Sequence, residues 1–187
     1  MIFREMDLRG AFLIDLEPAG DERGFFARTY CREEFEARGL RAIHAQSSIS
    51  FNAARGTLRG LHYQLAPAEE AKLVRCTRGA IYDVLVDLRR GSPTFCRWAA
   101  VELSAENRRM VYAAEGMAHG FITLRDSTEV LYQISAPYRP ELARGVRFDD
   151  PAFGIRWPLE PAVMSERDRS YPPFDPRAAG VAGRRDG

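Results

Sequence analysis

Three histidines occur among the 187 residues, and one of them, His62, stands in the stretch Gly56-Thr57-Leu58-Arg59-Gly60-Leu61-His62-Tyr63-Gln64. The stretch reads as a glycine turn followed by a strand. Alternation on a strand sends Leu58, Gly60, His62 and Gln64 to one face and Thr57, Arg59, Leu61 and Tyr63 to the other. Imidazole titrates near neutrality. A strand histidine beside a glycine that leaves room and a glutamine that can hydrogen-bond is therefore a candidate for proton transfer. The plainer reading is a satisfied core or cavity histidine, and other residues must decide between them. Two chemistries are open at this point: a metal site, and metal-free acid–base catalysis. Lys72 is the only lysine in the chain. A lysine at a strand start is ordinarily solvent-facing.

The elements that must position these residues are mostly strands. Phe12–Leu16 reads as an early strand, and the turn Asp21-Glu22-Arg23-Gly24 leads into a second over Phe25–Tyr30. Arg32–Arg38 is amphipathic around Phe35 and reads as a helix ended by Gly39. From Ile43 onward short β-rich runs are broken by turns: Lys72–Cys76, Ala80–Leu88, Trp98–Leu103, Met110–Ala113, Ala118–Leu124 and Glu129–Ser135. Many short strands with almost no helix predict an all-β sandwich or barrel with a few short peripheral helices. Ser165 is placed as an N-cap, with Asp168 at the capping-box position. Residues 1–176 are expected to form one domain. The small, basic stretch 177–187 is expected to be a disordered tail.

Composition narrows the function classes. With 27 basic and 26 acidic residues the chain has no overall bias toward nucleic acid or membrane surfaces. Cys31, Cys76 and Cys96 are odd in number and widely spaced, which predicts reduced thiols and a cytoplasmic setting rather than a disulfide framework. No apolar run at the N-terminus predicts a signal peptide or membrane span.

Taken in order and spacing, ten segments resemble the dTDP-4-dehydrorhamnose 3,5-epimerases, a branch of the cupin-like jelly rolls. The segments are Asp21–Phe26, Gly56–Gln64, Lys72–Cys76, Asp83–Phe95, Glu115–Phe121, Val130–Tyr132, Tyr138–Pro140, Asp149–Pro151, Ile155–Pro158 and Ser165–Asp168. The resemblance runs from about Ile14 to Phe174. It implies a double-stranded β-helix of jelly-roll type and a homodimer that exchanges its N-terminal strand. It also implies a dTDP-linked 4-keto-6-deoxy sugar as substrate, with no metal and no cofactor.

Such a ketone acidifies the C–H bonds at C3 and C5. Epimerisation needs a base on one face, a group that holds the enolate oxygen, and an acid on the opposite face. The resemblance assigns His62 as base with Asp168 as its orienting partner, Lys72 as the oxyanion donor and substrate contact, and Tyr132 as the acid opposite His62. A lysine near Tyr132 would lower the phenol's pKa. The resemblance places Arg23, Arg59 and Arg167 near the nucleotide and its diphosphate, Gln46, Ser47 and Ser48 in a polar binding stretch, His119 near the sugar and Tyr138 against thymine. Phe26 would reach into the neighbouring subunit's site. Simple alternation puts Arg59 on the face opposite His62, so a twist or bulge is required.

Three residues depart from the family pattern. Arg28 and Ala143 stand where glutamates are common, and Ala114 replaces a proline before Glu115-Gly116. Two alternatives differ in class and a third lies within the superfamily. A metal-dependent cupin would use His62, Gln64, Glu69 or Glu70, and His119, but His62-Tyr63-Gln64 breaks the usual His-x-His pair. A non-catalytic sugar-nucleotide-binding jelly roll has no need of an acid and a base on opposing faces. A related epimerase acting at C3 or C5 alone would carry the same motifs.

Overall fold

The computed structural model describes residues 1–43 and 45–177, and the backbone of residues 181–182. Its strands are β1 Ile2–Glu5, β2 Phe12–Asp15, β3 Ala19–Asp21, β4 Gly24–Phe26, β5 Gln46–Asn52, β6 Leu58–Gln64, β7 Lys72–Arg78 and β8 Ala80–Asp87. They continue with β9 Arg89–Arg90, β10 Trp98–Ser104, β11 Met110–Ala113, β12 Met117–Thr123, β13 Thr128–Ile134, β14 Ala143–Gly145 and β15 Val181–Ala182. Among the described residues two short helices, α1 Arg32–Glu36 and α2 Glu166–Arg169, complete the set.

Two antiparallel sheets form the jelly roll. One runs β1-β2-β11-β7-β13-β5 and the other β10-β8-β12-β6-β14. The core between them contains Val74, Cys76, Ile81, Leu85, Val111, Phe121 and Val130. β12 is buried along its whole length, which suits its central place in the five-stranded sheet. The outer face of the six-stranded sheet is covered at one end by α1, whose Phe35 packs against Phe3, Tyr30 and Tyr112.

Two expected elements are shorter in the structure. The strand expected over Phe25–Tyr30 is confined to β4, which pairs with β3 in a hairpin. The helix ends at Glu36, and its C-terminal backbone tightens toward Gly39 at φ +69°. The disordered tail expected over 177–187 lies mostly outside the described residues. Within it, the β15 backbone runs parallel to β9.

Candidate active site

A cavity of about 310 Å³ opens between the two sheets. β6 supplies Arg59, His62 and Gln64 to its wall, β7 supplies Lys72, β12 supplies His119 and β13 supplies Tyr132. Base and phenol candidates thus come from opposite sheets and look into one space.

Arg59 reaches the same cavity because β6 carries a bulge. His62 pairs with His119 and Arg59 with Phe121, so three steps on β6 match two on β12. One extra residue reverses the facing of everything beyond it, and alternation alone would have put Arg59 on the far side. The bulge depends on two glycines. Gly60 has φ +125°, and a Cβ there would lie 2.5 Å from the Gly120 Cα. A Cβ on Gly120 would lie 2.7 Å from the Arg59 carbonyl oxygen.

The ring of His62, with its side chain 41% exposed, meets Asp168: Nε2 lies 2.7 Å from Oδ1. The other carboxylate oxygen accepts the Gly60 N–H at 3.3 Å, tying the bulge to the same acid. Ser165 caps α2 as expected, its Oγ accepting the Asp168 N–H at 3.1 Å. The Asp168 carboxylate, however, turns to His62 and Gly60 instead of closing a capping box. Burial pushes this carboxyl upward, but the His62 contact and the Gly60 and Ser165 hydrogen bonds outweigh it and hold its pKa below the usual value. Tyr171, three residues past Asp168, sets its ring edge-on to His62 with centroids 6.2 Å apart. That ring occupies the space a side chain at Gly145 would need, and Gly145 is His62's partner in the β14–β6 ladder.

Lys72 is nearly enclosed. Its Nζ pairs with Glu70 Oε1 at 2.9 Å and donates to the His62 carbonyl oxygen at 3.0 Å. His119 is buried, and its Nε2 lies 2.7 Å from Asp83 Oδ2. Tyr132 packs edge-on to His119 at 5.8 Å. Its phenol is pushed well above the usual tyrosine value by burial first and by the Asp83 charge second, with Arg59 pulling the other way. The expected lowering by Lys72 is therefore overturned. Lys72's charge is matched by Glu70, and desolvation governs the phenol.

Three further cations line the cavity. Arg59 donates to Asn52 Oδ1 at 2.7 Å. Arg144 donates to the carbonyls of Glu141 and Ala143. Arg167 lies against Tyr138 first and Tyr171 next, both of which favour its charged form. Among the described residues none of the three is paired with a carboxylate. Ala143 also lines the wall. Of the polar stretch Gln46-Ser47-Ser48, only Gln46 lines the cavity, joined by Ser50 two steps beyond Ser48. Ser48 is the ladder partner of Tyr132, and Ser47 points to the outer face. Arg23 and Phe26 are outside the cavity of the single chain. Arg23 pairs with Asp21 on the β3–β4 hairpin, and Phe26 is 80% exposed there. Arg28 pairs with Glu34.

Sequence reasoning missed Asp83, Arg144 and Tyr171, and weighed Glu70 only as a metal donor. Asp83 carried a signal: an acid inside the apolar run Ala80–Leu88 must find a partner when buried. The donors of the metal alternative are engaged elsewhere, His62 with Asp168, His119 with Asp83, and Glu70 with Lys72. Among the described residues no three His, Cys, Asp or Glu side chains converge as a metal-binding group.

A profile of the family described as dTDP-4-dehydrorhamnose 3,5-epimerase matches residues 5–176. A dTDP-4-dehydrorhamnose 3,5-epimerase from Sinorhizobium fredii is 43% identical over 173 residues, covering 92% of this chain and 89% of its own. The crystal structure of dTDP-6-deoxy-D-glucose-3,5-epimerase from Legionella pneumophila, in complex with dTDP-4-keto-L-rhamnose, superposes with a TM-score of 0.87 at 32% identity, covering 97% of this chain and 98% of that one. A 3'-monoepimerase from Streptomyces bikiniensis in complex with dTDP-quinovose superposes at 0.82 with 36% identity, covering 90% and 85%.

Proposed function

The chain belongs to the dTDP-4-dehydrorhamnose 3,5-epimerase family, and from that membership we propose that it epimerises a dTDP-linked 4-keto-6-deoxy sugar at C3 and C5. The observation that carries this reading is the convergence of a histidine–aspartate pair and a phenol, from opposite sheets, on one cavity. His62 removes the proton next to the ketone, and Asp168 orients the ring and stabilises its cationic form. Lys72 donates to the enolate oxygen, a contact of the kind whose loss costs roughly 3 kcal/mol. Tyr132 returns a proton from the other face. His119 borders the sugar. Because the ketone itself activates the neighbouring carbons, no redox group is needed.

The diphosphate is read by guanidiniums. Glu70 offsets Lys72, which leaves Arg59, Arg144 and Arg167 as net positive charge around the cavity, and planar forks suit phosphate oxygens. Gln46 and Tyr138 border the nucleotide end, with Tyr138 stacking on thymine. Arg23 and Phe26 serve a neighbouring copy's site, and Ser48, on the inner side of β5, contacts substrate if the nucleotide draws that edge strand inward, whereas Ser47 faces away.

A homodimer with exchanged N-terminal strands belongs to the same reading. Phe26 is 80% exposed, and Ile49 and Phe51 on the outer face of β5 are 63% and 52% exposed. Apolar side chains on an edge strand and on a projecting hairpin favour coverage by a second chain. Residues 1–176 act as one epimerase unit. A reducing, cytoplasmic setting is supported by Cys31, Cys76 and Cys96, all free thiols. Among the described residues no helix is long and apolar enough to cross a membrane.

The Streptomyces bikiniensis neighbour is a 3'-monoepimerase, so action at a single carbon is the second reading. Incubation with dTDP-4-keto-6-deoxyglucose in deuterium oxide, followed by proton NMR, separates them. Exchange at C3 and C5 is expected. Exchange at one carbon selects the second reading, and exchange at neither overturns both.

A further inference from the structure

We infer that Glu70 is a positioning residue of this site: it fixes the Lys72 ammonium so that one N–H remains for the substrate's C4 oxygen, and it thereby governs turnover rather than affinity. The inference rests on the epimerase reading and gives Glu70 a role beyond offsetting the Lys72 charge.

Glu70 stands in the turn between β6 and β7, two residues before Lys72. Both side chains are nearly enclosed, at 9% and 8% exposure, and both line the cavity. A lysine has four rotatable carbons and three donors, so an unheld ammonium would sample many directions. Here two donors are taken, one by Glu70 Oε1 at 2.9 Å and one by the His62 carbonyl oxygen at 3.0 Å. Among the described residues the third has no partner, and it is left to face the cavity. Glu70 is held in turn: its Oε2 accepts from Gln64 Nε2 at 3.0 Å, and Gln64 Oε1 accepts the Arg139 N–H at 2.6 Å. The chain of contacts therefore joins the strand that carries the base, the lysine, and the loop that carries Tyr138. An acid buried beside the only lysine, with both oxygens engaged inward, is poorly placed to meet substrate itself. Its effect passes through Lys72.

The test uses the full-length protein and dTDP-4-keto-6-deoxyglucose. Glu70→Ala is expected to lower kcat, and deuterium exchange at both carbons, by about 100-fold, the scale of a misplaced catalytic group. KM and the affinity for dTDP should stay within about threefold. Glu70→Gln keeps an acceptor for Lys72 but meets Gln64 Nε2 with a second amide, and should also be slowed. It carries the test if the alanine variant fails to fold. The decisive readout is the pairing with Lys72→Ala. If Glu70 acts through Lys72, the double variant is no slower than Lys72→Ala alone. Losses that multiply, a kcat within threefold of the parent in Glu70→Ala, or a loss confined to KM would overturn the inference. Absence of exchange in the unaltered protein would sink the epimerase reading and this one with it, whereas normal exchange in the parent with an unaffected Glu70→Ala sinks this one alone.

Discussion

His62 and Asp168 are 106 positions apart in the chain and 2.7 Å apart in space. Three linked features make that meeting. The β6 bulge lets His62 and Arg59 face one cavity, the Ser165 cap starts the one-turn helix α2, and the Gly60 N–H anchors the second carboxylate oxygen. A histidine held this way is already oriented for the role of base proposed above.

His62→Ala should therefore abolish deuterium exchange at both carbons while dTDP affinity, measured calorimetrically, changes little. Asp168→Asn keeps the shape but cannot stabilise an imidazolium, and should lower kcat on the order of 10²–10⁴, the range for a general base deprived of its function. A variant of either kind with more than about a tenth of parental turnover would remove the pair from the mechanism.

Tyr132 leads to a pH prediction. Its pKa is raised by burial and by Asp83, so the phenol stays in its protonated, acid form past the ordinary value of about 10. Loss of the acid by ionisation should thus not limit kcat below about pH 10. Tyr132→Phe removes the proton donor but leaves His62 in place. Deuterium should still wash into the substrate while inverted product falls by roughly 10²–10⁴. Parallel loss of exchange and inversion would show that Tyr132 is not the separate acid.

The sheet framework was legible from local signals such as the alternation in Ala80–Leu88 and the Ser165 cap, and His62 stood out beside two spacious or polar neighbours, whereas Lys72, Tyr132 and Asp168 took their roles from the family resemblance. The Arg59 placement was not, because a bulge is a property of two paired strands. Its cause, Gly60 facing Gly120, joins residues from β6 and β12. The partner of His119 was hidden for the same reason. Asp83 and His119 are 36 positions apart, and nothing local says which charge a buried acid will meet. Glu70 read only as a possible metal donor, and its contacts with Gln64 and Lys72 emerge in the fold.

Gly60→Ala tests the bulge. The substituted residue would sit at φ +125°, with its Cβ 2.5 Å from the Gly120 Cα. Strain of about 1–3 kcal/mol from the backbone alone, plus the clash, predicts a clear fall in the urea midpoint. Any folded fraction should lose activity because Arg59 and His62 can no longer share one side. A variant with parental stability and turnover would mean that β6 does not bulge as described.

Asp87 tests the link between burial and pH. It is fully buried, and accepts from the Arg89 side chain at 2.8 and 2.9 Å, from Ser92 Oγ at 2.5 Å and from Thr94 Oγ1 at 2.6 Å. Burial alone would raise its pKa, but the Arg89, Ser92 and Thr94 hydrogen bonds lower it below the ordinary value. A carboxyl depressed in the folded state binds its proton more readily when unfolded, at about pH 3.9. Its stabilisation is therefore complete above that pH and is lost as pH falls through the lower folded value. Asp87→Asn leaves the Arg89 guanidinium without its counter-charge and should cost about 3–5 kcal/mol at pH 7, the range for breaking a buried pair. The measurement is the stability difference between parent and variant, by urea denaturation, across pH 7 to 2.5. Asp168 shares the direction of shift but is present in both proteins, so its contribution cancels in the difference. A gap that narrows below about pH 4 supports the assignment, whereas a gap of constant size would mean that packing, and not the Asp87 charge, holds this turn.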